Sequence, residues 1–169
     1  MAEREKPDGT GPGRGVDTRR LCKRGSPEAF DVDGTLGRLA KWLRILGFDA
    51  DYPVTGPRAG RVYVTRNKSC ADAVRVHSND PLKQLKQVLG DVGVQPDPDL
   101  FLCRCLICNV PVSAIDPIAV GGRVPPDVLA ITDRFNECPR CGRVYWEGTH
   151  SARIKRRLQS AGIEMVDYA

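Results

Sequence analysis

The sequence predicts a small α/β sheet domain, then a cysteine-bound module, then a basic C-terminal helix. Three observations predict it. Amphipathic stretches alternate with β-branched and aromatic runs over residues 36–90, two C-x-x-C pairs follow, and the run RIKRR lies in a capped helical pattern near the end. At 169 residues the chain has room for one compact domain plus a small metal-stapled module, not for two large domains.

Residues 1–27 are rich in Gly, Pro and charge and lack apolar periodicity, so they read as a disordered basic tail, with Cys22 inside it. An α/β domain is expected over 28–100. Leu36, Leu39, Ala40, Leu43 and Leu46 recur at three- and four-residue steps and form one helical stripe. Arg38, Lys41 and Arg44 line a different face, and Gly47 stands at the C-cap position. FDADY, RVYVT (61–65) and VRVHS (74–78) are strand candidates. DPLKQLKQVLG is a second helix, with Asp80 as N-cap, Pro81 in the first turn, Leu82, Leu85, Val88 and Leu89 inward and Gly90 as its stop. The eight residues PVTGPRAG between the first two of these strands are too short and too rich in Pro and Gly for the helical crossover that parallel strands ordinarily use.

Residues 101–148 carry the strongest chemical signal. Cys105 and Cys108 form one knuckle, Cys138 and Cys141 the other, with 29 residues between them. Two such knuckles complete the thiolate tetrahedron of a zinc ribbon. A closed site of four cysteines has no position for substrate, so this zinc is expected to fold the module, which is too small to be stable through its own core. Cys103, two residues before Cys105, is an alternative ligand. His77 and His150 each stand alone and read as surface or hydrogen-bonded groups. Over 149–169 a basic helix is expected, with Thr149 or Ser151 as N-cap and Gly162 ending it, followed by a last strand in IEMVDY.

No run approaches the roughly 20 apolar residues of a membrane span, and MAEREKPDGT lacks the apolar core of a secretory signal. A soluble cytoplasmic protein is expected, in which an odd count of seven cysteines points to metal ligands and free thiols rather than a disulfide framework. Lys plus Arg number 26 against 21 Asp plus Glu, a net +5 compatible with a polyanionic partner.

The string FDVDGTL has two incompatible readings. D-x-D-G-T-L matches the first motif of haloacid dehalogenase-like phosphatases, where Asp31 would attack phosphate and Asp33 would act as acid/base. That chemistry needs a buried strand upstream, a later Lys and an acidic pair for Mg2+. Charged, broken KRGSPEAF precedes it instead, which places this reading third.

In order and spacing, FDVDGTLGRLAKWLRILGFDAD, VYVTRN, DPLKQL, CLICN, VPPDV and CPRCGRVYWEGTHSARIKRRL resemble the Mut-seven C-terminal RNase domain family, over about residues 29–160. The resemblance implies a PIN-like ribonuclease, here trimmed, carrying a zinc ribbon. It implies that Asp33 ends the first strand as a metal ligand and that Asp31 replaces an apolar strand residue. Asn67 stands where the family has Asp, PVTGPRAG replaces an acidic segment, and Asp80 aligns with an acidic position at the next helix.

Nucleases of this class gather carboxylates at the C-terminal edge of a parallel sheet around Mg2+ or Mn2+. Asp33, Asn67 and Asp80 are the catalytic candidates, an incomplete acidic set that implies poor Mg2+ affinity. Arg38, Lys41, Arg44, Arg153, Lys155, Arg156 and Arg157 are the RNA-binding candidates. Tyr145 and Trp146 could stack on an unpaired base, with Trp146 alternatively packing the ribbon against the α/β domain. The expected function is metal-dependent RNA cleavage with reduced or lost activity. The alternative is a non-catalytic RNA- or ribonucleoprotein-binding zinc protein.

Overall fold

The computed structural model describes residues 28–165. The expected tail with Cys22, and residues 166–168 of the expected last strand, lie outside the described residues; 163–165 are irregular. Strands β1 (Ala29–Asp33), β2 (Asp49–Val54), β3 (Val62–Thr65) and β4 (Val74–Arg75) form a parallel sheet in the order β2-β1-β3-β4. Helices α1 (Gly37–Ile45) and α2 (Pro81–Val92) pack on it. A second, antiparallel sheet joins β5 (Ser113–Ile115), β6 (Phe135–Glu137) and β7 (Val144–Trp146), with the short helix α3 (Pro126–Ile131) between β5 and β6. Helix α4 (Thr149–Ser160) follows.

Alternation along the strands divides the first sheet into unlike faces. Phe30, Val32, Ala50 and Val64 are fully buried with Leu39, Leu43, Leu85 and Val88 of the two helices. Each of these leucines contributes about 2 kcal/mol through burial. Leu158 of α4 joins the same cluster, so the last helix packs back on the α/β core. Asp31, Asp33, Asp49 and Asp51 occupy the alternate positions and face the other way. Residues 55–61 connect β2 to β3, on the far side of β1, with no helix. The short crossover is tied to the aspartates. The Arg58 guanidinium bonds Asp31 and Asp51, while Arg61 bonds Asp31 at 2.6 Å and Asp49 at 2.9 Å.

Two helix ends depart from the sequence reading. Gly90 does not stop α2; the helix runs on to Gly93, whose φ of +73° closes it in the left-handed region. The N-cap of α4 is Gly148 rather than Thr149 or Ser151, and the Ser151 hydroxyl accepts the Gly148 N–H at 2.9 Å. Asp80 does cap α2, accepting from the N–H groups of Leu82 and Lys83. Gly47 also ends α1 as expected, with φ +88°, and it is irreplaceable on space alone, since a Cβ there would lie 2.4 Å from the Leu100 carbonyl oxygen.

Candidate functional site

The ligand atoms of Cys105, Cys108, Cys138 and Cys141 all lie within 4.8 Å of one another. Cys105 Sγ and Cys141 Sγ are 3.7 Å apart, matching the edge of about 3.8 Å that 2.3 Å Zn–S bonds impose on a tetrahedron. Cys103 stands outside this group. The two knuckles repeat one backbone design. Asn109 N–H donates to Cys105 O at 3.0 Å, as Gly142 N–H does to Cys138 O at 2.9 Å. Asn109 (φ +60°) and Gly142 (φ +69°) both turn left-handed, which glycine adopts freely and asparagine more readily than most residues.

The Tyr145 hydroxyl serves this centre. It donates to Cys105 Sγ at 3.2 Å and accepts the Leu106 N–H at 3.1 Å. Burial opposes ionisation of Cys105, but this hydroxyl and the N–H groups of Cys108 and Ile107 outweigh it and bring the thiol down to about 6. Burial and the neighbouring sulfurs push Cys108 up to about 12. Crowded thiols cannot all ionise alone; a divalent cation removes the conflict by taking them as thiolates. The donor set, spacing and N–H···S bonds therefore fit structural zinc.

The first knuckle grips the edge strand of the parallel sheet. Ala50 on β2 donates its N–H to Asn109 Oδ1 at 3.0 Å, and its carbonyl accepts Arg44 Nε at 2.9 Å. Arg44 Nη1 also reaches the carbonyls of Leu106 and Ile107 at 3.0 and 3.1 Å. The expectation that Arg44 belongs to an open basic face is thereby corrected. Only 6% exposed, it joins α1, β2 and the knuckle, because the three-residue step from Lys41 carries it round to the side that the ribbon covers. Asn109 Nδ2 bonds Asp49 and Asp51 at 2.8 and 2.9 Å. Arg58, Arg61 and Asn109 were not among the residues read as important, although aspartates at alternate positions on adjoining strands called for such partners.

At the C-terminal end of β1, Asp33 is partly open. Its Oδ1 accepts the Thr35 N–H and hydroxyl, each at 2.8 Å, and its Oδ2 accepts the Thr65 hydroxyl at 2.8 Å. Burial raises its pKa, but bonds from Thr35, Thr65 and Tyr63 more than offset that and hold the carboxyl below its usual range. Asn67 is exposed and bonds within its own turn, its Oδ1 accepting the Ser69 N–H, and Asp80 is engaged as the cap of α2. Among the described residues, no group of three or more His, Cys, Asp or Glu besides the four cysteines converges closely enough to share an ion. Asp31 is fully buried and ion-paired with Arg58 and Arg61, which leaves it no access as a phosphate-attacking nucleophile.

A family model for the Mut7-C RNAse domain matches residues 28–158. The chain belongs to the Mut7-C RNAse domain family. No curated protein and no solved structure matches it. In this Mut7-C chain the remaining basic candidates are distributed around the helices. Arg38 and Lys41 on α1, and Arg153, Arg156 and Arg157 on α4, are exposed. Lys155 is half-buried, pairs with Glu147 at 3.4 Å and lies 4.9 Å from the Phe101 ring centre. Arg157 covers Trp42 at 5.6 Å. Trp146 packs beside Phe135 within the ribbon's own small core. Among the described residues no helix is long and apolar enough to cross a membrane.

Proposed function

We propose that this chain is a zinc-stapled ribonuclease domain that acts on RNA at the Asp33 edge of its parallel sheet. The observation that carries the reading is the position of Asp33. It is an ionised, partly open carboxylate at a strand's C-terminal end, in a chain of the Mut7-C RNAse family, with Arg38 and Lys41 on the helix that starts four residues later. Mg2+ or Mn2+, when bound there, supplies charge neutralisation at the scissile phosphate and a more acidic water. Asp33 is the charged group that would hold it, with the amide oxygen of Asn67 and the Asp80 carboxylate as the candidate substitutes for further acids. One carboxylate suits a hard cation shared with RNA phosphates and water rather than an enclosing protein cage.

The protein's own contributions are positioning and charge. Thr35 and Thr65 fix the Asp33 carboxylate, and Lys41 and Arg38 attract the phosphodiester backbone. The test is Mn2+- or Mg2+-stimulated cleavage of single-stranded RNA by the parent and by Asp33→Asn. The expected outcome is slow cleavage that Asp33→Asn removes; equal cleavage by both proteins rules Asp33 out.

A second reading, RNA binding without cleavage, is favoured by the absence of a carboxylate cluster among the described residues. It expects salt-sensitive RNA retention in every divalent ion tried, with no product. Zinc at the four cysteines is common to both readings, as is the division into an α/β part over 28–100, a ribbon over 101–148 and a terminal segment from 149.

A further inference from the structure

A groove of about 790 Å3 runs between α1 and the ribbon, and no carboxylate lines it. Trp42, Ile45, Leu106, Ile131, Tyr145 and Trp146 are among the residues that line it. All three aromatic side chains are only half-buried. Arg38, Lys41, His150 and Arg157 also line it, and among the described residues Arg38 and Lys41 form no ion pair. Its lining also includes Arg38 and Pro81, in the first turns of α1 and α2, which start at the same sheet edge as Asp33. Arg157 also lines an adjoining hollow of about 510 Å3, together with Lys83, Lys86 and the Asp80 carboxylate.

We propose that this groove receives the unpaired bases of single-stranded RNA whose backbone passes Asp33, with Arg38, Lys41 and Arg157 holding the phosphates. The proposal rests on the ribonuclease reading and adds a base-dependent subsite to it. The charge selects a polyanion, and the half-buried aromatic rings and apolar lining select one that carries flat, weakly polar groups. A duplex hides those groups in its stack, so the groove discriminates in favour of unpaired strands. An apolar peptide would satisfy the apolar side chains but leave the cationic ones unmatched.

The experiment uses the full zinc-loaded chain and two fluorescent probes, a short mixed-sequence RNA and an abasic ribose-phosphate chain of equal length. Anisotropy is read without added Mg2+ or Mn2+. The base-bearing RNA is expected to bind about 10-fold tighter than the abasic chain, the scale of one or two base–aromatic contacts. Ile131→Asp, at a side chain 68% exposed and therefore tolerant of change, should abolish that difference. Lys41→Ala should weaken both probes alike and lower the slope of log K against log salt by about 0.7. Equal binding of the two probes, a preference that survives Ile131→Asp, or no binding overturns the proposal. Preferential binding of an acidic amphipathic peptide, lost in Ile131→Asp, would assign the groove to a protein partner and also overturn it. Cleavage in Mn2+ is scored separately. Base-dependent binding without cleavage retains the groove and removes the ribonuclease reading, whereas cleavage with base-independent binding does the reverse.

Discussion

The cysteine centre and the Asp33 edge differ in how their polar groups are used. At the first, four side chains from two distant segments converge, with backbone N–H groups and Tyr145 directed at sulfur. At the second, Asp33 is held by its immediate neighbour Thr35 and by Thr65, while Asn67 and Asp80 each bond within their own turns. A site built for an ion leaves ligand atoms facing one another. At the Asp33 edge the polar groups turn instead to nearby backbone N–H groups, which would be costly if left unmet.

The sharpest way to break this comparison is to remove the metal. Chelation, or Cys138→Ser, is expected to unfold the ribbon, because thiolate-bound zinc contributes on the order of 10 kcal/mol of apparent folding free energy. Metal analysis should give one zinc per chain for the parent, and circular dichroism should follow the collapse. A zinc-free chain with an unchanged melting curve would mean the four sulfurs meet for another reason. Next in size is Arg61→Met, which deprives buried Asp31 of one of its two guanidinium partners and should cost about 3 kcal/mol, read from the urea midpoint. Arg44→Met should cost about 2 kcal/mol, since the carbonyls of Ala50, Leu106 and Ile107 all lose their donor, and should loosen the ribbon without releasing zinc.

The smallest effect is on pH. Burial raises the pKa of Asp31 and Asp49, but bonds from Arg58 and Arg61 to the former, and from Arg61 and Asn109 to the latter, leave both lowered. The Arg58 bond leads in lowering Asp51. A carboxyl depressed by folding adds stability above its unfolded value of about 3.9 and loses it as pH falls through the folded value. The urea midpoint should therefore drop below about pH 4, and Asp51→Asn should shallow that drop, with zinc content followed alongside.

Much of this was legible in the sequence, unevenly. The stripe from Leu36 to Leu46, the Asp80–Pro81 start and the paired C-x-x-C motifs are local signals, fixed by helical period, capping and ligand spacing. The α/β class followed from them, whereas the family came from the resemblance of longer blocks such as DGTLGRLAKWLRILGFD and CPRCGRVYWEGTH. The seven-residue crossover was not legible, because its stability comes from Arg58 and Arg61 meeting aspartates on two other strands, a contact that no local pattern encodes. Arg44 misled for a related reason. A helical wheel separates charged from apolar positions, yet it cannot reveal that a second module covers part of the charged side.

Asn109 has one more consequence. Its side-chain amide oxygen, with Arg44, occupies the outward peptide groups of Ala50 on an edge strand of the parallel sheet. The clasp therefore guards an unpaired strand margin that could recruit a strand from another molecule. Scarcity of zinc would threaten more than the ribbon: by slackening that clasp it would expose a margin prone to self-association, and precipitation would accompany loss of the ion.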